Sequence, residues 1–103
     1  MSEFVSRSLD PDVALRVAQL FRAFSDQSRV KLIYAILENE ANVSDLAQTA
    51  GLSESATSHH LQGLRQLRLV RARKTGQQVF YTVDDDHVVA IFRQMVTHVQ
   101  QHA

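Results

Sequence analysis

From Ser55 to Val83 the sequence contains no carboxylate. Arg65, Arg68, Arg71, Arg73 and Lys74 lie inside that stretch, together with His59 and His60. Eight carboxylates precede it and Asp84, Asp85 and Asp86 follow it directly. The formal net charge is +0, so the neutrality of the whole chain hides a local basic stripe. Such a stripe is the electrostatic footprint of a phosphate partner. The alternative is a solvated basic face. Cysteine is absent, which removes disulfides, thiolate metal sites and cysteine redox sensing together. No glycine-rich phosphate loop is present, and the Asp and His residues fall on a helix edge without an evident pocket, so an enzyme is not expected.

The chain of 103 residues, 45% of them hydrophobic, suits a single domain over 1–103. A domain this small buries a modest share of its surface, which leaves room for dimerisation. No apolar run is long enough for a transmembrane helix, and no basic-then-apolar leader opens the sequence. No membrane partner is therefore expected, and the cytoplasm is the expected compartment.

Only three glycines and one proline punctuate the chain, so helices should dominate. Asp10-Pro11 reads as an N-cap and first helical position, followed by a stripe of Val13, Val17, Leu20, Phe21 and Phe24. Asp26 or Ser25 caps a second helix with Val30, Ile33, Tyr34 and Leu37 as its apolar stripe. Residues 38–42 read as a polar turn. A short helix follows from about Val43 to Ala50, stopped by Gly51. Ser53 caps another, to about Leu67, with Leu61, Leu64 and Leu67 inward. Val70 and Ala72, then Val79, Tyr81 and Val83, alternate with polar residues around Thr75-Gly76-Gln77, as in a hairpin. Asp84 to Asp86 open a last helix, to about Gln101, with an apolar face of Val88, Ile91, Phe92, Met95, Val96 and Val99. The expected fold is mainly α with a small β-hairpin wing, in the order α-α-α-α-β-β-α.

Two short helices joined by Gly51-Leu52-Ser53 match a helix-turn-helix. In that motif the N-terminal end of the second helix enters the major groove and needs small polar side chains. Ser55, Ser58 and His59 meet this need, and Gln62 falls on the same face. Arg65 can reach a phosphate further along. Thr57 and His60 adjoin the buried stripe and read as structural. Arg71, Arg73 and Lys74 make the hairpin a basic wing for phosphate. The expected DNA-binding set is thus Ser55, Ser58, His59, Gln62, Arg65, Arg71, Arg73 and Lys74.

With these segments in order, the chain resembles the ArsR/SmtB family of winged-helix repressors. Four segments carry the likeness: Phe21 to Val30, Val43 to Ser53, Ser55-Ala56-Thr57-Ser58-His59-His60-Leu61, and Gly76 to Tyr81. It implies a homodimer built from the first and last helices. It further implies repression at a two-fold symmetric operator, with release of that double-stranded DNA when an inducer binds, usually a metal ion.

The resemblance also implies where a metal would sit. A thiolate site near the third helix is missing, because Asn42, Val43 and Ser44 stand there. A last-helix pattern fits better, with Asp85, His87 and His98 as its first three ligands. The fourth expected position is Gln101, a poor zinc ligand, and His102 can substitute. His87 and His98 share a helix face, and His98 and His102 have the i, i+4 spacing that lets two imidazoles grip one ion. One carboxylate with imidazoles suits zinc or cobalt, while nickel would want more ligands. Within the family the third ligand's other nitrogen bonds a backbone carbonyl, which here would join His98 to the region of Arg68. Two alternatives stay open: a family member that senses a non-metal signal or none, which Gln101 favours, and a winged helix used only for protein contacts.

Overall fold

A computed structural model describes Glu3 and residues 6–103. The elements run α1 (Pro11–Ala23), α2 (Gln27–Ala35), β1 (Ala41–Asn42), α3 (Val43–Ala50), α4 (Glu54–Gln66), β2 (Val70–Thr75), β3 (Gln78–Val83) and α5 (Asp86–Gln101). The expected order therefore holds with one addition. β1 lies inside the segment read as a polar turn and pairs antiparallel with β3, Ala41 opposite Tyr81 and Asn42 opposite Phe80. The sheet order is β1-β3-β2. Two residues are too few to show an alternating pattern, so the strand exists only because the β3 edge offers it partners.

Each of the five described helices begins with a side-chain cap. Asp10 accepts from the backbone of Asp12, Asp26 from Arg29, Asn42 from Asp45, Ser53 from Ala56 and Asp85 from Val88. Each cap satisfies a donor that the helix itself cannot. The Arg29 N–H also holds the Asp26 carboxyl below its ordinary pKa range.

α3 and α4 end in the same way. After α3, Leu52 N–H bonds Ala47 O at 2.9 Å and Gly51 takes the left-handed conformation at φ 70°. After α4, Leu69 N–H bonds Leu64 O at 3.0 Å and Arg68 N–H bonds Arg65 O at 2.9 Å. This is the Schellman arrangement in both places. At the second, the left-handed residue is Arg68, φ 60°, where glycine would be unstrained. The wing turns at Gly76, φ 62°, while Gln77 keeps a negative φ, as a type II′ hairpin turn requires.

The core gathers Leu32 and Ile33 of α2 with Ile36 at its C-cap, Leu46 and Ala50 of α3, Leu61 and Leu64 of α4, and Phe92 of α5 over Leu69, Val70, Tyr81 and Val83. Phe24 meets Phe92 edge-on, ring centroids 5.8 Å apart. The α2 stripe differs from expectation: Leu32 and Ile36 are fully buried, whereas Tyr34 is 54% exposed. α2 is central and buries a broad face, so a narrow stripe misplaces its edge.

The outer helices are the opposite case. Of α1 only Ala23 is buried, and Val13, Val17 and Phe21 face solvent. On α5 only Phe92 is buried, and Ile91 and Val99 are exposed. The radius of gyration is 16.3 Å, against about 13 Å for a compact chain of ~100 residues. Among the described residues no helix is long and apolar enough to cross a membrane.

Two substitutions test this account of the helix ends. Arg68→Gly should raise stability by about 0.5–1 kcal/mol, because it removes the left-handed strain. Ser53→Ala should lower it by about 1 kcal/mol through loss of the α4 cap. Thermal unfolding at one fixed protein concentration reads both, and a stability loss in Arg68→Gly would contradict the first.

Candidate nucleic-acid interface and sensor stripe

α4 divides sharply along its axis. Thr57, Leu61 and Leu64 are fully buried. Thr57 needs no outside partner there, since its hydroxyl donates to Ser53 O at 2.8 Å. The opposite face presents Ser55, His59, Gln62 and Arg65 to solvent, with Ser58 half-buried at its edge. At about 100° per residue, Ser55, Ser58, His59 and Gln62 fall within roughly 100° of one another. They form one continuous donor and acceptor surface that starts at the N-terminal end of the helix and runs past its middle.

α4 is pinned from behind by α2. Arg29 Nε donates to His60 Nδ1 at 3.3 Å, which requires that nitrogen to carry a lone pair. The Arg29 guanidinium lies across the helix at Gly63, where an added Cβ would stand 3.2 Å from Arg29 Nη2. His60 therefore has the structural place the sequence reading assigned to it, and Gly63 leaves room for the pin.

The wing separates residues that stand together in sequence. Arg71 and Arg73 share one face of β2, and Lys74 lies on the other. Arg71 and Lys74 are exposed. Arg73 is engaged within the chain. Its Nη2 and Nε meet the two carboxylate oxygens of Glu40 at 2.5 and 3.1 Å, and Nη1 donates to the Thr75 hydroxyl. Its guanidinium also sits 5.1 Å from the centre of the Phe80 ring. The pair holds the Glu40 carboxyl below its ordinary range and raises Arg73. Sequence reading missed Glu40 because it is 33 positions from Arg73 and inside an apparent turn. At the tip, Gln78 accepts from Asn42 at 3.5 Å, and Gln77, Gln78 and Glu54 border one shallow groove.

The acidic triplet also divides. Asp84 N–H bonds Leu69 O and closes the base of the wing. Asp85 Oδ1 caps α5 at 2.9 Å and lies 3.8 Å from His87 Nδ1, and Oδ2 has no partner among the described residues. His87, Ile91, His98 and His102 fall within about 60° of one another around α5, beside the apolar face. His87 and His98 stand about 16 Å apart along the axis, too far for one ion to take both from a single chain. His98 and His102 do come together: their rings stack with centroids 4.3 Å apart, and His102 Nδ1 lies 2.8 Å from His98 O. Gln101 points about 60° away from His98. No cluster of three or more metal-ligating side chains forms within one chain among the described residues. The expected bond from His98 to the Arg68 region is not formed, and the His98 ring has no hydrogen-bond partner among the described residues.

Comparison with known proteins agrees with this architecture. The family described as bacterial regulatory protein, arsR family, matches residues 26–72. The chain is 41% identical over 90 residues to a transcriptional repressor SmtB homolog of Synechocystis sp., covering 87% of this chain and 68% of that one. It is 39% identical over 88 residues to a cadmium resistance transcriptional regulatory protein CadC homolog of Staphylococcus aureus, covering 84% and 73%. The solved structure of HlyU from Vibrio cholerae, a protein named as a transcriptional activator, superposes with a TM-score of 0.78 at 32% identity and covers 84% of this chain and 94% of that one. These relatives are regulators and not enzymes. The chain is a winged helix-turn-helix protein and belongs to the arsR family of bacterial regulatory proteins.

Proposed function

We propose that this protein is a cytoplasmic transcriptional repressor that binds operator DNA as a homodimer and releases it in response to a transition metal ion. One observation carries the DNA part: the outward face of α4 is polar throughout its N-terminal half and free of the core, beside a basic wing. Ser55, Ser58, His59 and Gln62 read base edges or fix register. Arg65, Arg71 and Lys74 hold phosphates. The exposed apolar residues of α1 and α5 supply the dimer surface, because a soluble chain rarely leaves two such stripes open. Two copies also give DNA binding its two-fold geometry.

The metal part rests on the donor set. Asp85, His87, His98 and His102 are exposed, and they share one side of α5 apart from the capping Asp85. Antiparallel pairing of α5 with its copy would bring Asp85 and His87 of one subunit near His98 and His102 of the other. One carboxylate and three imidazoles fit zinc or cobalt, with nickel less suited. The stacked His98–His102 pair supports His102 over Gln101 as the last ligand. A bound ion would supply a cross-link between the two last helices. Such a link releases DNA only through its different affinity for the two arrangements of the dimer. A second reading is kept because of Gln101 and the activator relative: a regulator that responds to a non-metal signal or to none.

Two outcomes are expected. In gel-shift titrations across salt concentration, Arg71→Gln and Lys74→Gln should each reduce the slope of log affinity against log salt by about 1, as loss of one phosphate contact does. With zinc, cobalt and nickel added in turn, wild-type protein should leave the DNA, while His98→Ala should stay bound with unchanged metal-free affinity. An equal metal response in His98→Ala and wild type would sink the metal reading.

A further inference from the structure

The Arg73 side chain is built into the wing more firmly than any other basic residue of the carboxylate-free stretch. Four groups hold it at once: both oxygens of Glu40, the Thr75 hydroxyl and the Phe80 ring. These partners come from three places. Glu40 immediately precedes β1, Phe80 lies directly across the ladder in β3, and Thr75 ends β2 at the hairpin tip. Phe80 is also the partner of Asn42 in β1. One guanidinium thus ties together all three strands of the sheet. Bidentate pairing fixes its plane, and the ring beneath it removes the remaining freedom.

The magnitudes separate this pair from its neighbour. Arg93 of α5 meets Glu38 at 3.0 Å through one nitrogen, with the two side chains 50% and 69% exposed against 55% and 42% for Arg73 and Glu40, so the number of bonds and not exposure distinguishes the pairs. A single exposed contact of that kind adds little to order. The Arg73–Glu40 pair has two charge-assisted bonds and its own aromatic support, the geometry in which an exposed pair does contribute.

We propose that Arg73 and Glu40 form a brace that sets the tilt of the wing toward DNA, so that Arg73 is a positioning residue and not a phosphate contact. The proposal rests on the DNA-binding reading above. A phosphate could take the three N–H groups that Glu40 and Thr75 occupy only by displacing those partners, and the two that remain would bring it against the Glu40 carboxylate. Glu40 left behind would then face the phosphate backbone with the wrong sign. The base of the wing is anchored in the core by Val70, Tyr81 and Val83, whereas residues 73–78 are exposed, and a bare hairpin of that kind is marginally ordered. Glu40 is ionised at neutral pH as an ordinary carboxylate is, and because pairing with Arg73 lowers its pKa, the contribution of the brace is present above the ordinary carboxylate range and is lost as pH falls below it.

The test uses the full chain and DNA that wild-type protein selects from a random-sequence duplex pool. Glu40→Gln, Arg73→Gln and the double variant are compared in two measurements. In the free proteins, hydrogen exchange of the β2 and β3 amides should be faster in each single variant than in wild type. On DNA, each single variant should bind about fivefold more weakly, the double variant no more weakly than either, and the salt slope should stay at its wild-type value. A slope reduced by about 1 in Arg73→Gln, together with tighter binding in Glu40→Gln, would overturn the brace and make Glu40 a competitor of phosphate. Unchanged wing exchange in both single variants would also overturn it. Failure of wild type to select any DNA would instead overturn the DNA-binding reading, while the exchange measurement would still report whether the brace orders the wing.

Discussion

Thr57, Leu61 and Leu64 are buried completely along one line of α4, and the polar face of that helix depends on it. A helix of 13 residues is marginal in water by itself, so its direction must come from the apolar surface it buries. Leu46 and Ala50 of α3, Leu32 and Ile33 of α2, and Ile36 at the α2 C-cap form the floor. Arg29 fixes the rotation from behind through His60. Serine, histidine and glutamine on the far face contribute almost nothing to folding and are therefore free to contribute to recognition. The Schellman turns at Gly51 and Arg68 deliver the chain into and out of this helix at fixed angles.

The same economy fails at the edges of the molecule. α1 and α5 carry apolar faces that one chain cannot cover, with Phe21 and Val99 60% and 64% exposed. Burying a side chain of that size is worth roughly 1.5–3 kcal/mol, so several of them supply a strong drive toward a partner surface. In the proposed homodimer that drive would fix how far apart the two α4 helices stand. The imidazole stripe of α5 borders the same face, so any ion held there would act on the geometry that DNA tests.

Much of the fold was legible locally. Asp10, Asp26 and Ser53 read as caps one position before a helix, because a cap needs nothing beyond its own turn, whereas the caps Asn42 and Asp85 are seen only in the structure. Gly51 announces its left-handed turn for the same reason. The buried line of α4 follows from helical spacing alone. By contrast, the two residues of β1 carry no period and read as a turn, and Tyr34 reads as inward because a central helix hides which of its edges faces out. Both depend on neighbours distant in sequence.

The candidate site shows the same division. By itself the sequence determined the helix-turn-helix, the hairpin, the polar run from Ser55 to Gln62 and the i, i+4 pair of His98 and His102, because each is set by spacing within one element. In the structure the two rings stack. Only the tertiary structure decided which charges are free. It carried Glu40 to Arg73 across 33 positions and laid Phe80 of the neighbouring strand against the same guanidinium. Charge counted along a chain ignores folding, whereas a charge–charge interaction depends on distance in space, and the sheet register sets that distance.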